Sequence, residues 1–141
     1  MATTVTKRTI STTAAAKMLR AAEAKAKEIG VPMCIAVCDD GGNLKAFSRM
    51  DGAALLSIQV SQDKAYSAVG FGMPTEAWHG FIKDDGPLAM GAVGGIDRLV
   101  IFGGGYPINA NGQVVGAIGV SGGHYTQDME VAQAGLAAVG G

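Results

Sequence analysis

From Ser11 to Ile29 the apolar positions Ala15, Met18, Leu19, Ala22, Ala26 and Ile29 recur every three or four residues, the spacing of one face of an α-helix. Ser11, Thr12 or Thr13 can cap its start, Lys25 and Lys27 suit its end, and Gly30 with Pro32 stops it. The pattern then changes. Met33–Cys38 is a continuous apolar run of strand length, Asp39 to Asn43 has the composition of a turn, and Leu44–Arg49 reads as a second strand, giving a hairpin. Ala54–Val69 predicts a long helix ended by Gly70, Gly72 and Pro74. Thr75 opens a short helix through Ile82, Asp84–Gly95 reads as a glycine-rich loop, and Leu99–Phe102 as a short strand. Tyr106–Ala110 and Gln113–Val120 flank Asn111-Gly112, the strongest hairpin signal in the chain. A last helix covers about Thr126–Val139. Hairpins dominate, so the pattern predicts an α+β fold with an antiparallel sheet, its main hairpin turning at Asn111-Gly112 and covered by the first and last helices.

Composition narrows this further. A chain of 141 residues fits one domain, 1–141, with residues 1–10 as an N-terminal arm, and no linker or repeat interrupts it. Hydrophobic residues make up 48% and the net charge is −1, which excludes intrinsic disorder. Eleven Lys and Arg against twelve Asp and Glu leave no basic excess for nucleic acid. Charged residues are only 16%, below the usual share of about a quarter, so part of the surface is expected to pack against copies of the same chain. Cys34 and Cys38, four residues apart on a strand, would lie about 13 Å apart, too far for a disulfide; free thiols suit a reducing compartment. Neither a secretion signal nor an apolar run of membrane-spanning length is present, so the expected location is the cytoplasm.

Candidate chemistry gathers around strand ends. Gly116, Gly119, Gly122 and Gly123 precede the last helix at a spacing that is neither a dinucleotide nor a phosphate-loop fingerprint. They read either as an anion site of backbone N–H groups or as places of close packing. His124 follows them at a helix start, where it is a candidate ligand or base. His79 lies on the short helix beside Trp78 and Phe81. With two histidines and no ligand spacing, no dedicated metal site is expected. Arg49 could hold a carboxylate, and Lys64 sits in the middle of an otherwise apolar helix, where an ammonium needs a partner.

Read together, Val37 to Leu44, Arg49-Met50-Asp51-Gly52-Ala53, Lys64-Ala65, Pro74-Thr75, Gly104-Gly105-Tyr106-Pro107-Ile108, Gly116 to Gly122 and Asp128 resemble the GlcG/HbpS-like family from about Ser11 to Leu136. The resemblance implies a profilin-like α/β/α sandwich with a five-stranded antiparallel sheet. It also implies dimers or higher assemblies, up to an octamer, and an association with haem or with corrinoid systems. The family's motif positions Arg49, Asp51, Lys64, Gly104, Gly105, Pro107 and Gly122 are present, while His124 stands where a threonine is common.

Two functions follow as expectations. The first is a haem- or small-molecule-binding accessory protein that takes an anionic organic ligand in a Gly-lined cleft, with His124 or His79 as the axial ligand of haem. The second is a small cofactor-independent enzyme of isomerase, hydratase or lyase type, with Arg49 holding a carboxylate and His124 or Lys64 moving a proton. In both, the expected pocket forms where Gly104, Gly105 and Pro107 meet Gly122, Gly123 and His124 near Arg49, Asp51 and Lys64, close to a subunit boundary.

Overall fold

The computed structural model describes residues 1–140; the final residue of the expected domain lies outside them. Helix α1 covers Thr12–Ile29, with the Ser11 side chain accepting from the Ala14 N–H and Gly30 closing the helix in a left-handed conformation. Strands β1 (Cys34–Asp39) and β2 (Leu44–Arg49) form the first hairpin. Helix α2 runs over Leu55–Phe71, two residues beyond the predicted end at Val69, and is closed by Gly72. Helix α3 is Ala77–Ile82. Strands β3 (Gly105–Ala110) and β4 (Gln113–Ser121) turn at Asn111 and Gly112, both at positive φ as a type I′ turn requires, and helix α5 (Tyr125–Ala137) ends the fold.

Two sequence expectations are corrected here. Asp84–Gly95 is not a loop. Residues Gly86–Gly95 form helix α4, started by Asp85, whose side chain accepts from the Leu88 N–H, with Pro87 in the first turn where a missing N–H costs nothing. The sheet has four strands, not five. Leu99–Phe102 is no strand because α2 takes its hydrogen bonds: the Ser67 hydroxyl donates to the Arg98 carbonyl at 2.8 Å, and the Val100 N–H donates to Ser67 Oγ at 2.9 Å.

The sheet order is β2-β1-β4-β3, antiparallel throughout. Strand alternation sorts the side chains into two layers. Ile35, Val37, Ile118 and Val120 face α1 and α5, where Met18, Ala22, Val131 and Ala132 complete the main core. Cys38 and Ala117 face α2 and meet Ala65 and Ala68. Small residues on this second face let α2 lie close to the sheet. At Gly119 the approach is closest: a Cβ there would run into the Ser61 carbonyl and the Ala65 amide of α2. Both cysteines are free and buried, and burial pushes the Cys38 thiol up to about 11. In the arm, the Ile10 N–H donates to the Val115 carbonyl and Lys7 pairs with Asp40. No described helix is long and apolar enough to cross a membrane.

Candidate functional site

Lys64 is the largest fully buried side chain, 0% exposed. The closeness of α2 to the sheet carries its ammonium through to the end of β4. There it donates to the Val120 carbonyl at 2.9 Å and to Asp128 Oδ2 at 2.8 Å. The other carboxylate oxygen of Asp128 accepts the Gly123 N–H at 3.0 Å. Burial pulls Lys64 down from its ordinary value and pushes Asp128 up, and each partner offsets part of the other's shift. The half-exposed ring of Phe102 lies 5.0 Å from the ammonium.

Gly104 is what makes room for this arrangement. It sits at φ +129°, and a Cβ there would stand 2.7 Å from Lys64 Nζ and 2.6 Å from the Val120 carbonyl oxygen. Its carbonyl accepts the Val120 N–H, continuing the β3–β4 pairing by one step. Next to it, Gly105 and buried Thr75 exchange two hydrogen bonds: Gly105 N–H to Thr75 Oγ1, and Thr75 N–H to the Gly105 carbonyl, both at 3.0 Å. That exchange fixes the approach to α3, one residue before Glu76.

Above this buried layer opens a cleft of about 370 Å³, lined by Glu76, His79, Ile101, Phe102, Gly103 and Tyr125. Its size falls in the usual range for small-molecule sites, roughly 300–1,000 Å³. Glu76 is held from behind, because the Tyr106 hydroxyl donates to its carboxylate and Gln133 donates to that hydroxyl at 3.2 Å. Burial and the neighbouring carboxylate push the Tyr106 phenol up. The His79 ring is exposed and makes no side-chain hydrogen bond among the described residues. His124 differs. It is the N-cap of α5: Nδ1 accepts from the Thr126 N–H at 3.3 Å and lies 2.8 Å from Thr126 Oγ1. Its ring lies against that of Tyr125, 4.2 Å between centroids with the planes tilted by 38°.

The structure therefore brings together Lys64, Gly104, Gly105, Gly123 and His124, the last through the turn that Asp128 holds. Pro107 is buried in β3, paired with Ala117 of β4, and Gly122 packs against Pro32 and Met33 at the head of β1. Arg49 and Asp51 line a different, more polar cleft with Glu23 and Lys27. Sequence reasoning passed over Phe102, Ile101 and Tyr125, which have no pattern of their own and meet only through the loop before β3 and the start of α5. Asp128 had a signal, since an ammonium inside an apolar helix requires a buried acid. No group of three or more His, Cys, Asp or Glu placed to hold a metal ion occurs among the described residues.

Comparison with known proteins adds a second line of argument. The family model described as "Haem degrading protein HbpS-like" matches residues 10–137. An uncharacterized 15.0 kDa protein from the dhaT-dhaS intergenic region of Citrobacter freundii is 42% identical over 128 residues, covering 91% of this chain and 90% of that one. The crystal structure of the Klebsiella pneumoniae protein ORFY superposes with a TM-score of 0.90 at 37% identity, covering 98% of this chain and 95% of the other. The crystal structure of a PduOC:heme complex superposes with a TM-score of 0.84 at 29% identity, covering 94% and 96%.

Proposed function

This chain belongs to the HbpS-like family of haem-degrading proteins, and from that premise we propose that it binds haem in the cleft between α3 and the start of α5, with His79 as the protein ligand. The carrying observation is the contrast between the two histidines. His79 lines the cleft with its ring nitrogens uncommitted, whereas His124 spends Nδ1 on the cap of α5. The residues present fit the group: Ile101, Phe102 and Tyr125 offer apolar and aromatic walls, and His79 offers a ring nitrogen. Bound haem would supply an iron that accepts an axial nitrogen. Lys83, one turn beyond His79 and exposed, suits a haem carboxylate. The Gly104–Gly105 and Gly122–Gly123 segments then shape the site from beneath instead of lining it.

The enzymatic alternative loses its support. Of its two candidate bases, Lys64 has no exposed surface and both its contacts are to protein, and His124 commits Nδ1 to the cap of α5; its carboxylate anchor, Arg49, lines another cleft. Trp78, the single tryptophan, immediately precedes His79, so haem in the cleft is expected to quench its fluorescence saturably. Phe102→Ser should weaken that quenching at least tenfold in concentration. Unsaturable quenching, equal in both proteins, contradicts the reading.

We propose also that the chain works as a homo-oligomer. Helix α4 buries only Ala92 and leaves Met90 88% exposed beside Val93 and Ile96. The start of α2 adds Leu55 and Leu56, each 81% exposed. Apolar surface of this kind is what a contact between copies covers.

A further inference from the structure

We infer that Lys64 and Asp128 are positioning residues for the cleft, setting the relative placement of its Phe102 wall and its Tyr125 wall through the backbone groups they hold. That the cleft receives haem rests on the reading above; the placement of its walls does not. The pair joins three segments at one point: α2 supplies Lys64, the end of β4 supplies the Val120 carbonyl, and α5 supplies Asp128. Mutual attraction is a poor reason for such a pair to exist, because two well-packed apolar side chains would hold the core as well or better. What apolar side chains cannot do is hold polar backbone. Asp128 has a second oxygen for the Gly123 N–H, and Lys64 has a further donor for Val120. Gly123 leads directly into His124 and Tyr125, so fixing its amide fixes where α5 begins and where the Tyr125 ring enters the cleft. On the other side, Gly104 lies against the ammonium and the Phe102 ring stands over it. Both walls thus take their position from one buried pair that never touches the ligand.

The test is the double variant Lys64→Met with Asp128→Leu, which removes both charges together and leaves no buried ion unpaired. The protein is expected to stay folded with a thermal midpoint lowered by several degrees, because the Val120 carbonyl and the Gly123 N–H lose their partners. In the ligand-free protein, amide hydrogen exchange at Gly123 and His124 should accelerate at least tenfold, while exchange in the β1–β2 hairpin stays unchanged. Release of ferric haem, followed by transfer to an excess of a haem scavenger, should quicken at least tenfold. A stable double variant with native exchange at Gly123 and His124 overturns the inference. If the double variant fails to fold, Asp128→Asn carries the test. It keeps an acceptor of the same size but loses the charge that strengthens the Gly123 contact, and a several-fold rise in exchange at Gly123 is expected. Native exchange in Asp128→Asn overturns the inference as well. Failure of the unmodified protein to bind haem would remove the functional reading and leave the exchange result to decide the positioning one.

Discussion

Gly119→Ala is a small change with a large expected cost, because of what faces it. The new methyl group would point at the Ser61 carbonyl and the Ala65 amide, which are the two ends of one helical hydrogen bond in α2, and would stand 3.1 Å from the Ala65 methyl. None of these atoms can swing aside as the tip of a long side chain could. Relief requires α2 to lift from β4 or β4 to bend away. Lys64 lies on the same stretch of α2, so lifting it lengthens the contacts to Val120 and Asp128, and a buried ion pair loses much when stretched. Overpacking a core costs about 1–3 kcal/mol where side chains can adjust. With backbone on both sides, about 3 kcal/mol or more is expected here. For a chain of this length that lowers the thermal midpoint by roughly 10 °C. The assay is urea and thermal unfolding at fixed protomer concentration, which matters because a contact between copies adds to apparent stability. The dependence of stability on urea should stay unchanged, with a lower midpoint. A Gly119→Ala protein melting within about 2 °C of the original refutes the claim that this glycine is there to admit the helix.

Two further outcomes are expected. Burial raises the Cys38 thiol from 9.0 to about 11, so the folded protein keeps a proton that the unfolded chain gives up. Stability from this group is whole below about pH 9 and falls by about 3 kcal/mol as pH rises to about 11, a loss that Cys38→Ala should remove; an unchanged alkaline decline in that variant refutes the assignment. Met90→Glu, at the most exposed apolar position of α4, should shift sedimentation toward smaller species without lowering helix content, and an unchanged mass removes α4 from the contact between copies.

The fold was legible where local signals and tertiary packing agree. Helix α1 carries its period, cap and stop in its own residues, and the Asn111-Gly112 turn admits few alternatives. Helix α4 is hidden in the sequence because its glycines outweigh the Asp85 cap and Pro87, and its apolar residues show no one-sided period with Ala92 alone buried. The missing fifth strand has a tertiary cause: Leu99–Phe102 is apolar enough to pair, but Ser67 of α2 reaches its backbone first. At the site, Lys64 announced itself as a cation in an apolar helix, and the glycines beside it as places of close approach. The cleft above them was not legible, because Phe102, His79 and Tyr125 come from three segments that only the folded chain assembles. Arg49 satisfies the same strand-end pattern and lines a separate, more polar cleft, a placement that only the folded chain decides.

The central claim is that His79, not His124, offers the nitrogen that holds haem. Ferric haem titrated into the unmodified protein, His79→Ala and His124→Ala, with the Soret band recorded for each, tests it most directly. A saturable Soret shift is expected in the unmodified protein and in His124→Ala, with a displaced band or no saturation in His79→Ala, and all three should melt within a few degrees of one another. An unaltered shift in His79→Ala, or its loss in His124→Ala alone, contradicts the account.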